Sequence, residues 1–321
     1  MNEQSNNLSK LSPNELNELL YYIINNKFAY RKSLGLNENV TFGIEIEYER
    51  MIKYFVDKFI RKNYPYWISK KDESLTFGGE IASPIMKDEI KYWKQIKEIC
   101  TYLKTKHVIT DDGAAGHIHI GAHILGKDII KWRKFLKTYT IFEDIIFKAL
   151  YGDSNNPRKK INEFASPISD IIYKRLSIIN KLDDTNRLKN KLPGFSKSQA
   201  INFMNIVSLD LDQEYEKNTI EFRSPNGTVN ENVWQNNINI LTKLIINSNN
   251  IDEELLDYYI NNCRASADKI YTYNEVCLKK ALIFSDLIFE NEIDKLYFLK
   301  QYIKNFMPSS SMPFKKIKSK K

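Results

Sequence analysis

What this sequence lacks narrows its chemistry. No glycine-rich phosphate loop occurs in its 321 residues, so any nucleotide must be held by metal ions and side chains instead of a cradle of backbone N–H groups. Cysteine is scarce. Cys100, Cys263 and Cys277 are odd in number and far apart, which excludes a disulfide framework and a zinc knuckle. No apolar run approaches the roughly 18 residues of a membrane-spanning helix, and Met1–Lys10 is polar where a secretory signal is apolar. These absences lead to the expectation of a cytoplasmic protein with no membrane partner.

Charge of one sign is less abundant than it first looks. The net charge is +8, but five of those charges are the lysines of Phe314–Lys321, which follow the loose segment Pro308-Ser309-Ser310-Ser311-Met312-Pro313. Short like-charge blocks of this kind are usually solvated, so residues 308–321 read as a basic flexible tail and nucleic acid is not the expected partner. The remaining chain, with 42% hydrophobic residues overall, is ample for a substantial core.

The periodicities divide the chain into zones. Ser12-Pro13-Asn14-Glu15 is N-cap chemistry with proline at the first helical position, and Leu16, Leu19, Leu20 and Ile23 follow at helical spacing. A leading helix is expected, with 1–36 as its zone. Residues 37–240 mix strands (Val40–Arg50, Leu75–Ser83, His117–His123, Thr219–Ser224, and less clearly Ile201–Leu209) with helices at Met86–Leu103, Lys127–Tyr151 and Ser169–Ile179. The strands alternate polar and apolar residues, which points to an α+β protein whose mainly antiparallel sheet keeps one face open. Residues 241–307 read as a helical C-terminal region packed on that core, within helical patterns at Glu231–Asn247, Asp252–Asn262 and Tyr273–Phe306.

Alternation also gathers the chemistry. Side chains two apart in a strand share a face, so Glu45, Glu47 and Glu49 lie opposite Val40, Phe42, Ile44, Ile46 and Tyr48. Three such carboxylates repel one another unless they are solvated or hold a divalent cation, and hard cations prefer carboxylate oxygen. His117, His119 and His123, three of only four histidines, fall on one face of the next polar strand. They could ligate a metal or meet a phosphate. Glu221 and Arg223 share a face further on, and Glu80 follows Gly78-Gly79. Each could be a plain surface feature alone; jointly, four strands offer acid, imidazole or guanidinium from one face with no folding reason to do so.

With those residues in view, the sequence resembles the amidoligases, part of the carboxylate–amine ligase superfamily related to glutamine synthetase and glutamate–cysteine ligase. The resemblance rests on Phe42-Gly43-Ile44-Glu45-Ile46-Glu47, Gly79-Glu80-Ile81-Ala82-Ser83-Pro84, Gly116-His117-Ile118-His119-Ile120-Gly121 and Thr219-Ile220-Glu221-Phe222-Arg223, in that order. Pro157-Arg158 and Asn205 are lesser matches. Ala115 departs from the pattern, which leads one to expect cysteine before Gly116. The resemblance implies a curved sheet of the glutamine-synthetase-like catalytic type, with ATP at one end and Mg²⁺ or Mn²⁺ as cofactor. It implies Glu45, Glu47, Glu80, Glu221 and His117 as metal ligands, and His117, His119, Asn205 and Arg223 at the nucleotide. Arg223 would meet the γ-phosphate, and Arg158 a phosphate or the substrate carboxylate. The implied substrates are a carboxylate and an amine on an amino acid, peptide or protein. Two other readings stay open: a metal-dependent nuclease or phosphodiesterase, and a non-catalytic nucleotide-binding scaffold.

Overall fold

A computed structural model describes residues 7–72, 75, 77–110, 113–185, 187–188, 197–206, 218–265 and 275–304. Alternating apolar residues give six strands: β1 (Phe42–Glu49), β2 (Ile68–Lys70), β3 (Gly78–Ala82), β4 (Gly116–Gly121), β5 (Ile201–Asn202) and β6 (Thr219–Phe222). They form one open sheet in the order β2-β3-β1-β4-β6-β5, and every pairing is antiparallel. Among the described residues, eight helices have ten residues or more: α1 (Pro13–Asn25), α2 (Lys53–Asn63), α3 (Ile90–Thr105), α4 (Ile129–Leu150), α5 (Glu231–Asn247), α6 (Glu253–Asn262), α7 (Glu275–Ile288) and α8 (Glu292–Ile303). The protein is therefore α+β with an antiparallel sheet.

The sheet is dry on one side. Phe42, Ile44, Ile46 and Tyr48 of β1 are buried, with Ile81, Ile118, Ile120, Ile220 and Phe222 of its neighbours. Trp93 of α3 stacks on Phe42 at 5.2 Å, and Phe222 meets Phe135 and Tyr139 of α4 at 6.3 and 6.4 Å. Helix α5 closes on β4 so tightly that a Cβ on Gly116 would stand 2.6 Å from the Trp234 ring, which explains glycine there. Behind this layer, α4 packs against α6, α7 and α8, with Phe142 of α4 against Phe284 at 5.3 Å. One hydrophobic cluster runs from Leu8 to Ile303.

Several expectations are corrected. The leading helix starts at the anticipated Ser12-Pro13 N-cap, where Ser12 and Glu15 form a capping box, but it stops at Asn25, well inside the zone expected to run to residue 36. The helix expected from Met86 begins at Ile90, because Met86 instead exchanges backbone hydrogen bonds with Phe42 and prolongs the sheet. Ser169–Ile179 is broken into Ser169–Lys174 and Leu176–Ile179. The pattern over Tyr273–Phe306 covers two helices, the second restarted by the Asn291 side chain accepting from the Asp294 N–H. Of the uncertain strand, Ile201–Asn202 joins the sheet and Ile206 forms an isolated antiparallel bridge with Asn218, and β2 was not anticipated. Residues 207–209, 273–274, 305–306 and the basic tail at 308–321 lie outside the described residues.

Because Phe222 anchors β6 between Glu221 and Arg223, its truncation tests how far the dry face supports the polar one. Phe222→Ala is expected to cost about 3–5 kcal/mol in denaturant unfolding. A cost below about 1 kcal/mol would mean that α4 does not hold this strand.

Candidate active site

The opposite face of the sheet is lined with polar groups, and the register sets their order. Lys70 pairs with Glu80, Glu80 with Glu47, Glu45 with His117, His119 with Glu221, and Glu221 with Asn202. Directly opposed residues share a face, so five strand contacts bring together groups up to about 150 residues apart. Glu47, Glu80, His117, Glu221 and Asn202 are buried, while Glu45 and His119 are partly exposed.

His117 is central. Its Nδ1 lies 2.8 Å from Glu45 Oε2 and 3.9 Å from Glu221 Oε1, and its Nε2 lies 3.5 Å from Glu47 Oε1. His119 places Nδ1 3.1 Å from Thr219 Oγ1 and Nε2 3.5 Å from Glu45 Oε1. That buried Nε2 makes no hydrogen bond among the described residues. The third expected histidine does not join them. His123 sits in the turn Ala122–Ile124 after β4 and donates from Nε2 to the Asn39 carbonyl at 2.7 Å. The strand ends at Gly121, so the alternation that seemed to align His123 stops before reaching it.

Each carboxylate is oriented by a neighbour. Glu221 accepts from Asn202 Nδ2 at 2.8 Å, from Asn205 Nδ2 at 2.9 Å, and from Arg223. Glu47 accepts the Ala115 N–H at 2.6 Å. Glu80 meets the Lys70 ammonium at 2.8 Å, which also approaches Glu45 Oε1 at 3.7 Å. Glu49, last on β1, faces Gly113 instead of the histidines. Arg158 is buried, and its guanidinium donates to the carbonyls of Pro225 at 2.7 Å and Arg223 at 2.8 Å. Burial pushes this group down to about 10 against the pull of Glu47. It remains a cation at neutral pH, spent on the backbone that carries Arg223.

Two groups have the donor chemistry of a hard-cation site. Oxygen or nitrogen atoms of Glu45, His117 and Glu221 lie within 4.8 Å of one another, as do oxygens of Glu47, Asp72 and Glu80. Carboxylate oxygen with one imidazole suits Mg²⁺ or Mn²⁺. The ligand set thus fits a metal by donor type; Lys70 and Arg223 already stand beside these carboxylates as cations, so an ion bound there would compete with them for the same oxygens. Sequence reasoning missed Lys70, Asp72 and Asn202. Lys70 ends, and Asp72 follows, a strand too short to show alternation. Asn202 was findable, since it sits between Ile201 and Phe203 as a polar residue in an apolar run.

A protein-family model described as "Putative amidoligase enzyme" matches residues 49–245. The chain belongs to this amidoligase family. Glu80, His117, His119, Arg158, Asn205, Glu221 and Arg223 lie inside the match, while Glu45 and Glu47 precede it. No curated protein matches. A solved structure of a bifunctional glutathione synthetase from Pasteurella multocida is similar over 90% of this chain and 48% of that one, at 11% identity and a TM-score of 0.40. The chain thus spans about half the length of that protein, and a likeness this slight carries nothing about the site. No helix among the described residues is long and apolar enough to cross a membrane.

Crowding of like charges divides the carboxylates. Burial alone would raise Glu45 and Glu221, but hydrogen bonds from His117 and His119 and then their charges hold Glu45 below the ordinary value of 4.5, while the charges of His117, His119 and Arg223 do the same for Glu221. Glu80 moves the other way: burial and then the Glu45 charge raise it despite Lys70. Glu45 and Glu221 therefore contribute stability that is present above pH 4.5 and lost as pH falls below it. Glu80 contributes the opposite sign, favouring the native state as it takes up a proton. In chelator-treated protein at pH 7, Glu80→Gln is expected to raise the Tm and Glu45→Gln to lower it. Scanning calorimetry showing shifts of the same sign for both would sink this assignment.

Proposed function

We propose that this amidoligase-family protein is an ATP-dependent carboxylate–amine ligase whose sheet is of the curved, glutamine-synthetase-like catalytic type, with residues 37–240 as its core. The single observation that carries the reading is the juxtaposition, on one sheet face, of two carboxylate-rich ligand groups with Arg223 and Lys70 at their margins. A carboxylate does not react with an amine unaided. Moving the terminal phosphoryl of ATP onto it gives an acyl phosphate and ADP; the amine then displaces phosphate and loses a proton, leaving the amide.

Divalent Mg²⁺ or Mn²⁺, held by Glu45, His117 and Glu221 and by Glu47, Glu80 and Asp72, would supply the charge neutralisation that phosphoryl transfer needs. The protein's own groups do the positioning. Asn202 and Asn205 both donate to Glu221 Oε2, so they fix which oxygen lone pairs remain to face a ligand. Asn205 is accordingly assigned to orient a metal ligand instead of touching nucleotide. Arg223 is tethered through Nε to the Phe164 carbonyl at 3.3 Å, which holds the guanidinium at the site margin, where it can take charge developing on the transferred group. Arg158 is a positioning residue in this reading, since its named donors grip backbone carbonyls beside Arg223. With no glycine-rich loop, such a rigid side-chain set substitutes for a backbone phosphate cradle.

The test is incubation with Mg²⁺, ATP and pooled carboxylates and amines (amino acids and peptides), read by ADP release and mass spectrometry. ADP is expected only when both substrate classes are present, together with a product lighter by one water than the sum of its parts. Glu221→Gln and Glu45→Gln should each lower turnover by roughly 10²–10³-fold, the scale of losing one preorganised electrostatic group. Cleavage of nucleic acid without ATP would favour the phosphodiesterase reading. No ADP and no product across a broad pool would count against the ligase.

A further inference from the structure

Lys70 is a site-facing cation to which the ligase reading gives no task. It is the last residue of β2, at the end of the sheet, and its side chain is 49% exposed. The β2–β3 ladder needs only its backbone, yet its ammonium reaches two carboxylates that belong to different ligand groups. Glu80 Oε1, at 2.8 Å, is part of the group with Glu47 and Asp72; Glu45 Oε1, at 3.7 Å, is part of the group with His117 and Glu221. One ammonium therefore spans both. Arg223 differs, because its guanidinium is fixed by Glu221 and by the Phe164 carbonyl. Lysine is a compact point charge on a flexible four-carbon stem, suited to changing partners.

A divalent ion and an ammonium cannot both occupy the same carboxylate oxygens without like-charge repulsion. We propose that Lys70 is an exchange cation, which neutralises Glu45 and Glu80 when no divalent ion is bound and yields them when one binds. It then turns to an anionic group of the ligand, phosphate or carboxylate. This rests on the divalent-ion site proposed above. Binding of metal and of anion is then coupled through one side chain, and by linkage each strengthens the other to the same extent. An alternative role as an ordinary half-exposed ion pair predicts little coupling.

The experiment titrates Mn²⁺ into wild-type protein, K70M, K70Q and K70R by calorimetry. It is run in chloride and again in sulfate at matched ionic strength, with the Tm of each variant recorded. K70M and K70Q are expected to bind Mn²⁺ about tenfold tighter than wild type in chloride, since a competing cation is gone. K70R, which keeps the charge, should stay near wild type. Sulfate should tighten Mn²⁺ binding several-fold in wild type and leave K70M and K70Q unchanged. Folded K70M and K70Q with unchanged or weaker Mn²⁺ affinity would overturn the exchange role while leaving the metal site standing. Wild-type protein that binds no Mn²⁺ would overturn the metal site, and this inference with it.

Discussion

Like charges held close together in a partly dry place set the terms for the rest of this structure. Glu45, Glu47, Glu80 and Glu221 converge on one sheet face, and three of the four are buried. Left unpaired, any one would be strongly destabilising, because a buried charge loses its hydration. The fold answers with His117 among three of them, Lys70 and Arg223 at the margins, and N–H donors from Ala115, Asn202 and Asn205. None of these partners is needed to build a sheet. They make sense as the means of holding a concentration of negative charge ready for a cation.

The dry face makes that concentration possible. Antiparallel register is only as fixed as its hydrophobic pattern, since a slip of one residue would turn every side chain over. Burial of Phe42, Ile44, Ile46 and Tyr48, with Phe42 stacked on α3, pins β1, and packing of Phe222 on α4 pins β6. Glu45 therefore has no freedom to leave His117, nor His119 to leave Glu221. Arg158 extends the same logic beyond the sheet. Its charge is buried, and its two named bonds fasten the turn after β6 at Arg223 and Pro225. In the proposed ligase, a charged side chain spent on backbone in this way sets position.

The alternation of β1, β4 and β6 was legible in the sequence because each strand carries four or more residues of unbroken period, and the polar half of that period is chemically unusual. Glu45, Glu47, His117, His119, Glu221 and Arg223 could be read directly from it. Lys70 and Asp72 could not, since three residues of β2 show no period and an edge strand is specified by its partner instead of its own sequence. His123 misled for the converse reason: the pattern His-x-His continued on paper past the point where the Thr41 carbonyl takes the Gly121 N–H and the chain turns into Ala122–Ile124. Helix starts were legible where a side chain caps them, as at Ser12, and misplaced where tertiary pairing overrode propensity, as at Met86.

The family match begins at Glu49, so it does not by itself include Glu45 and Glu47. Register joins them to it. Glu47 is opposite Glu80 and takes the Ala115 N–H; Glu45 is opposite His117 and within reach of Lys70 and His119. Every one of those partners lies inside the matched segment. The positions of Glu45 and Glu47 are dictated on both sides by matched strands, so in the proposed ligase they share one sheet face with the residues inside the match. The same argument explains why alanine is tolerable at 115, where the resemblance led to an expectation of cysteine. What the site takes from that position is a main-chain N–H, and any residue other than proline supplies one.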